Sequence, residues 1–261
     1  MPIIQTEGGF IYKKTRKNAG FGKAKFLLIL FLCGVMISVG CFCIFTKFDI
    51  TSVLSLNKYL IYDAKTYYAV YVQKADDYRS VSSFAQDIKI SDGAGYVLNF
   101  NNNYYVIASC YSSMEDAKSV AEKISNFDAD VLEIKFDRLI ISLELTNEQI
   151  RVLKHSTALV NTAFENLYNI VLSLDRGEIM DAEARQKLQV FKEICLEDKE
   201  TFNKAFQNNL ETVITRVKIF QSEVISNISM LLISQNLSSD IKYSIASILD
   251  SFSLLQKNIR K

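Results

Sequence analysis

From Phe26 to Phe45 the chain reads FLLILFLCGVMISVGCFCIF, twenty residues without a charge. As a helix rising about 1.5 Å per residue, the run matches the roughly 30 Å hydrocarbon core of a bilayer. Six basic side chains (Lys13, Lys14, Arg16, Lys17, Lys23, Lys25) and one acid (Glu7) precede it, whereas the flank after it holds only Lys47 against Asp49. Because basic residues stay on the cytoplasmic side, this bias predicts a single-pass membrane protein with a cytoplasmic tail (1–25), a transmembrane helix (26–45) and an extracytoplasmic remainder.

Two other readings compete with a simple anchor. A cleaved signal peptide has a shorter apolar stretch, of about 7–15 residues, and small residues at its end, but this run ends in Phe45, Thr46 and Lys47. Ser38-Val39-Gly40-Cys41 reads as a degenerate lipoprotein processing box with Cys41 acylated. Ser38 fits the aliphatic position poorly, and the apolar run continues beyond Cys41. The anchor is the preferred expectation.

Beyond Phe45 the remaining residues hold 24 basic and 28 acidic side chains, so the bulk of the chain is mildly acidic. That balance argues against nucleic acid as a partner. One proline, nine glycines and 49% hydrophobic residues argue against fibrous and disordered classes. A single histidine, His155, leaves no metal site built on several histidines, and no cofactor is expected. The chain contains no phosphate-binding Gly-rich loop, no H-E-x-x-H, no G-x-S-x-G and no C-x-x-C. His155 reads as a solvated helix residue, adjacent acids such as Glu197-Asp198 as solvated surface, and the chain as non-enzymatic. Cys33, Cys41 and Cys43 lie in the apolar run, while Cys110 and Cys195 read as free buried thiols, a disulfide being permitted but not indicated.

Residues 46–65 read as a connector. From 66 to 137 the pattern alternates between strand and helix. Tyr67–Gln73 is β-branched and aromatic, and Val81, Phe84, Ala85 and Ile88 then recur at helical spacing. The turn cluster Asp92–Gly95 leads to a strand at Tyr96–Phe100, a hairpin turn at Asn101–Asn103 and a strand at Tyr104–Cys110. Ser112 and Glu115 suggest a capping box, followed by a helix with Ala117, Val120, Ala121 and Ile124 on its apolar face and a last strand, Val131–Phe136. Tyr67-Tyr68 is echoed 37 residues later by Tyr104-Tyr105. The resulting β-α-β-β-α-β order predicts a four-stranded antiparallel sheet with both helices on one face.

From 146 to 261 the period changes. Ile150, Leu153, Thr157, Val160, Phe164, Leu167, Val171 and Leu174 form a heptad seam. Leu188, Phe191, Cys195, Phe202 and Ala205 continue it, as do Leu210 to Val224 and then Ile241, Ile245, Ile248, Phe252, Leu255 and Ile259. Three or four helices in an antiparallel bundle are expected, with the division near Asn208 and Asn209 undecided. The fold class is therefore α+β: a membrane helix, a β-α-β-β-α-β domain and a C-terminal helical bundle.

The segment from Tyr104 to Ala117 resembles the second half of a SPOR domain: an aromatic-started strand, a small residue, an aromatic, then Ser-Ser-x-x-x-Ala opening a helix. The resemblance covers about 70 residues. The Gln-x-Gly of the family's first strand is replaced by Tyr71 and Gln73, and the glycine of the second half by Ser109. A single-pass chain with a SPOR domain and a further C-terminal region is also similar to the stage II sporulation B engulfment proteins. The resemblance implies non-catalytic binding of peptidoglycan glycan strands stripped of stem peptides, at division or sporulation septa.

Strand alternation adds a physical account of such a site. With Val70, Val72, Val106 and Ala108 facing the helices, Tyr71, Gln73, Tyr105 and Ile107 turn to the other, open face, with Tyr96 a further member. Aromatic rings beside polar groups suit sugar faces and hydroxyls. The alternative is that the C-terminal helices cover this face and the tyrosines are packed. In that case the protein is an extracytoplasmic scaffold whose bundle docks an envelope partner.

Overall fold

The computed structural model describes residues 59–259, apart from 143, 208 and 210. The basic tail, the Phe26–Phe45 run, Cys33, Cys41, Cys43 and most of the connector lie outside the described residues. Among those described, no helix is long and apolar enough to cross a membrane. Six helices and two antiparallel sheets make a mixed α+β fold within a compact unit, Asn57–Lys261.

The first strand, β1 (Tyr59–Tyr62), falls in the stretch read as connector. It pairs antiparallel with β6 (Leu139–Ser142), so a short ribbon ties the chain entering the α+β segment to the chain leaving it. Between them lie β2 (Lys65–Ala75), α1 (Tyr78–Ile90), β3 (Tyr96–Phe100), β4 (Asn103–Tyr111), α2 (Met114–Ala121) and β5 (Asp130–Phe136). The antiparallel sheet order is β3-β4-β2-β5, so the repeated halves lie side by side through their tyrosine-rich strands.

Local chemistry sets the boundaries. Asp77 Oδ1 accepts the Ser80 amide at 3.0 Å and starts α1. Asn101 and Asn102 take φ of 51° and 61°, the left-handed pair that a two-residue hairpin between β3 and β4 requires. Gly95 has φ +59°, and a Cβ there would stand 2.3 Å from the Ala85 carbonyl oxygen, so the close pass of this loop over α1 admits glycine alone. The cap of α2 is Ser113, whose hydroxyl accepts the Asp116 amide, one residue beyond the expected Ser112.

The heptad seam becomes α3 (Asn147–Asp175), opened by a Thr146–Gln149 capping box. It is followed by α4 (Asp181–Ala205), α5 (Thr212–Leu231) and α6 (Leu237–Ile259). The undecided middle stretch is two helices, which makes the bundle four-stranded. Short connections run successive helices antiparallel, and α3 and α5 each pack on α4 and α6. Leu153, Phe164, Leu167, Leu188, Phe202, Val217, Ile241 and Ile245 fill its core. Arg185 of α4 caps the end of α5: Nη1 donates to the Leu231 and Leu232 carbonyls at 3.1 and 2.8 Å, and Nη2 to Ser234 O at 2.7 Å.

Two cores flank the sheet. Val70, Val72, Val106 and Ala108 are buried with Val81, Ala85, Ile88 and Ala117 of α1 and α2. Tyr67, Ala69, Leu98, Tyr105, Ile107, Ile134 and Phe136 belong instead to the core of the bundle.

Candidate functional site

Of the residues expected on an open sheet face, Tyr71, Tyr96, Tyr105 and Ile107 lie opposite α1 and α2, but that face is covered. Ile107 is 0% and Tyr105 7% exposed. Helix α6 runs over β3 and β4, and α3 and α6 meet the sheet through rings: Tyr67 on Phe164 at 4.4 Å and Phe136 on Phe252 at 4.9 Å between centroids. The reason is area. A sheet face made of Tyr67, Ala69, Leu98, Tyr105, Ile107, Ile134 and Phe136 is almost wholly apolar, and burying each large side chain stabilises by roughly 1.5–3 kcal/mol.

Tyr96 is drawn into the same junction. Its hydroxyl donates to Asp250 Oδ2 of α6 at 2.8 Å, and its ring meets Tyr243 edge-on at 5.1 Å. Burial first, and the Asp250 carboxylate second, push the Tyr96 phenol above its ordinary range.

Gln73 departs from simple alternation. The β2–β4 register steps from Tyr71↔Ile107 to Gln73↔Val106, a bulge that pairs Gln73 with a residue of the α1–α2 core and sets Lys74 opposite Tyr105. Lys74 Nζ lies 5.5 Å from the Tyr105 ring centroid. Lys74 therefore takes the place beside Tyr105 that alternation assigns to Gln73.

What remains accessible on this face is its rim. Tyr71 is half-buried, meets Tyr105 edge-on at 5.1 Å and donates from its hydroxyl to Asp130 Oδ2 of β5 at 3.3 Å. Its phenol is raised by partial burial first and by Asp130 second. Tyr71, Lys74 and Asp130 thus form one contiguous patch of ring, cation and carboxylate. Lys74 and Asp130 were not legible as members, since neither the bulge nor the pairing of β2 with β5 carries a glycine or proline signal.

The bundle holds the other polar cluster. Asp198, read as surface, is 5% exposed in α4. It accepts from Ser156 Oγ at 3.1 Å and from Gln221 Nε2 at 2.6 Å, which tie α3, α4 and α5 together. His155 is an exposed residue whose Nε2 stands 3.7 Å from Asp198 Oδ1. Serine, histidine and aspartate are neighbours here, yet the serine donates to the carboxylate and not to the imidazole, so nothing activates it as a nucleophile. Burial pushes the free thiols of Cys110 and Cys195 up to about 12, which keeps them protonated and unreactive. Among the described residues no group of three His, Cys, Asp or Glu side chains could hold a metal ion.

The chain matches no protein-family model, no curated protein and no solved structure.

Proposed function

We propose that this chain is a membrane-anchored, non-catalytic scaffold of the bacterial envelope, held by Phe26 to Phe45, in which the SPOR-like sheet supports a helical bundle that docks an envelope partner. The supporting observation is the covered sheet face: Ile107 and Tyr105 are buried in the core that the sheet shares with the bundle, and Tyr96 is tied to Asp250 of α6. A glycan strand needs several ring faces free at once, and on this face Tyr105 and Ile107 are packed while Tyr71, at the rim, is half-buried.

A second reading keeps the denuded glycan as ligand and places it on that rim, where the ring of Tyr71, the ammonium of Lys74 and the carboxylate of Asp130 offer stacking and hydrogen bonds together. The two readings separate on a fluorescent fusion of the full chain. With Tyr71→Ala and Lys74→Ala combined, the scaffold reading expects unchanged distribution in dividing or sporulating cells at normal protein level. Loss of septal enrichment supports the rim reading instead.

A further inference from the structure

On the other side of the sheet, α1 and α2 leave a trough between them with a volume of about 310 Å³. Its floor is β2 and β4, and its walls are largely apolar, from Val72, Ile88, Val120, Ile124 and Phe127. A second bulge shapes the floor. The register steps from Val70↔Ser109 to Tyr71↔Ile107, leaving Ala108 as the extra residue of β4, so Ala108 and Ser109 both line the trough. Strict alternation would have turned the Ser109 hydroxyl to the bundle. Bulges re-aim side chains in this way beside binding sites.

The polar groups are few and convergent. Ser109 is 9% exposed, and its Oγ donates to the Tyr111 hydroxyl at 3.0 Å. The phenol proton of Tyr111 has no acceptor among the described residues and is free to donate. Burial pushes the Tyr111 phenol up to about 12, so it stays protonated at neutral pH. At the mouth, Lys242 donates from Nζ to Asp92 O at 2.9 Å and pairs with Asp92 Oδ2 at 3.4 Å and Asp175 Oδ2 at 3.0 Å. Three oxygens of Asp92 and Asp175 stand around the ammonium, and two carboxylates face one cation. The C-terminal ends of α1 and α3 add the negative end of their dipoles at the same place. An anion entering this mouth meets repulsion, and among the described residues that line it the one cation, Lys242, is already paired.

We propose that the trough between α1 and α2 binds a small neutral molecule with an apolar body and a carbonyl oxygen, an aryl or alkyl amide, whose oxygen accepts from Tyr111. The volume is at the low end for ligand sites and holds one ring or short branched chain with its amide head. This site is separate from the rim patch and stands or falls independently of the scaffold reading.

The test is a methyl-resolved NMR titration of the full chain with acetanilide, with benzoate as the anionic counterpart of similar size. The expected result is saturable shifts at the Val72, Ile88, Val120 and Ile124 methyls with bundle methyls such as Ile228 unmoved. Tyr111→Phe should weaken binding about two- to tenfold, the loss of one hydrogen bond. Val120→Trp, which fills the trough from its half-exposed wall, should abolish the shifts while the bundle methyls keep their positions. Absence of saturable shifts at millimolar acetanilide, unchanged affinity in Val120→Trp, or equal affinity for benzoate would overturn the proposal.

Discussion

Truncating Ile107 to alanine separates a covered sheet face from an open one. Ile107 sits on β4 opposite Tyr71 on one side and Tyr96 on the other, with no exposed surface. The substitution removes three buried carbon atoms where α6 holds the walls in place. Fully buried isoleucine to alanine changes cost about 2–5 kcal/mol, through lost transfer energy and the cavity left behind, so about 3 kcal/mol is expected here. On an open face the same truncation would cost within about 0.5 kcal/mol. For a unit the size of Asn57–Lys261, each kcal/mol moves Tm by about 2–4 °C, which predicts a fall of about 6–12 °C. Urea unfolding of the full chain, followed by far-UV circular dichroism and tyrosine fluorescence, supplies the assay. The two probes should shift together, because sheet and bundle share this core. A loss below about 0.5 kcal/mol, or a tyrosine transition separate from the helical one, would refute the reasoning.

The Tyr96–Asp250 hydrogen bond should show a coupling of about 1–2 kcal/mol in a Tyr96→Phe, Asp250→Ala double-mutant cycle read by urea unfolding, whereas additivity would mean that it adds no stability. Arg185→Ala should cost about 1.5–3 kcal/mol, since one guanidinium serves three carbonyls at the end of α5, and Arg185→Lys should rescue little of it. Stability should fall as pH rises above about 9. The Cys110 and Cys195 thiols are pushed up to about 12 from an ordinary 9.0, and the Tyr67 and Tyr111 phenols to about 12 from 10.0, so in this window the unfolded chain binds fewer protons than the folded one. Each group removes at most about 1.4 kcal/mol per pH unit, and a stability flat from pH 8 to 11 in urea titrations would contradict the burial of these groups.

Much of the architecture was legible because it rests on short-range periodicity. Alternation in Tyr67–Gln73 and Tyr104–Cys110 placed Val70, Val72, Val106 and Ala108 against α1 and α2, where they are buried. The spacing from Ile150 to Leu174 marked α3, and the asparagines at 101 and 102 marked the hairpin. The state of the site was not legible, since a strand face carrying Tyr71, Tyr105 and Ile107 reads alike whether solvent, sugar or a helix lies on it. A heptad seam likewise does not say whether its flank meets another helix or a sheet, and here α3 and α6 meet both. The bulges at Ala108–Ser109 and at 71–73 carry no glycine or proline, so Gln73 was placed beside Tyr105 where Lys74 belongs. Asp198 was misread because its donors, Ser156 and Gln221, are distant in sequence. Four-residue strands such as β1 and β6 are too short to stand out from a connector.

The covered face is tested most directly by retention of the full chain on purified peptidoglycan sacculi before and after an amidase removes the stem peptides. The account predicts retention that does not rise after amidase treatment and is the same for wild type and a Tyr71→Ala, Tyr105→Ala variant. Retention that rises on denuded glycan and is lost in that variant would contradict it, and would place the sugar either on the rim around Tyr71 or on a face that α6 has left.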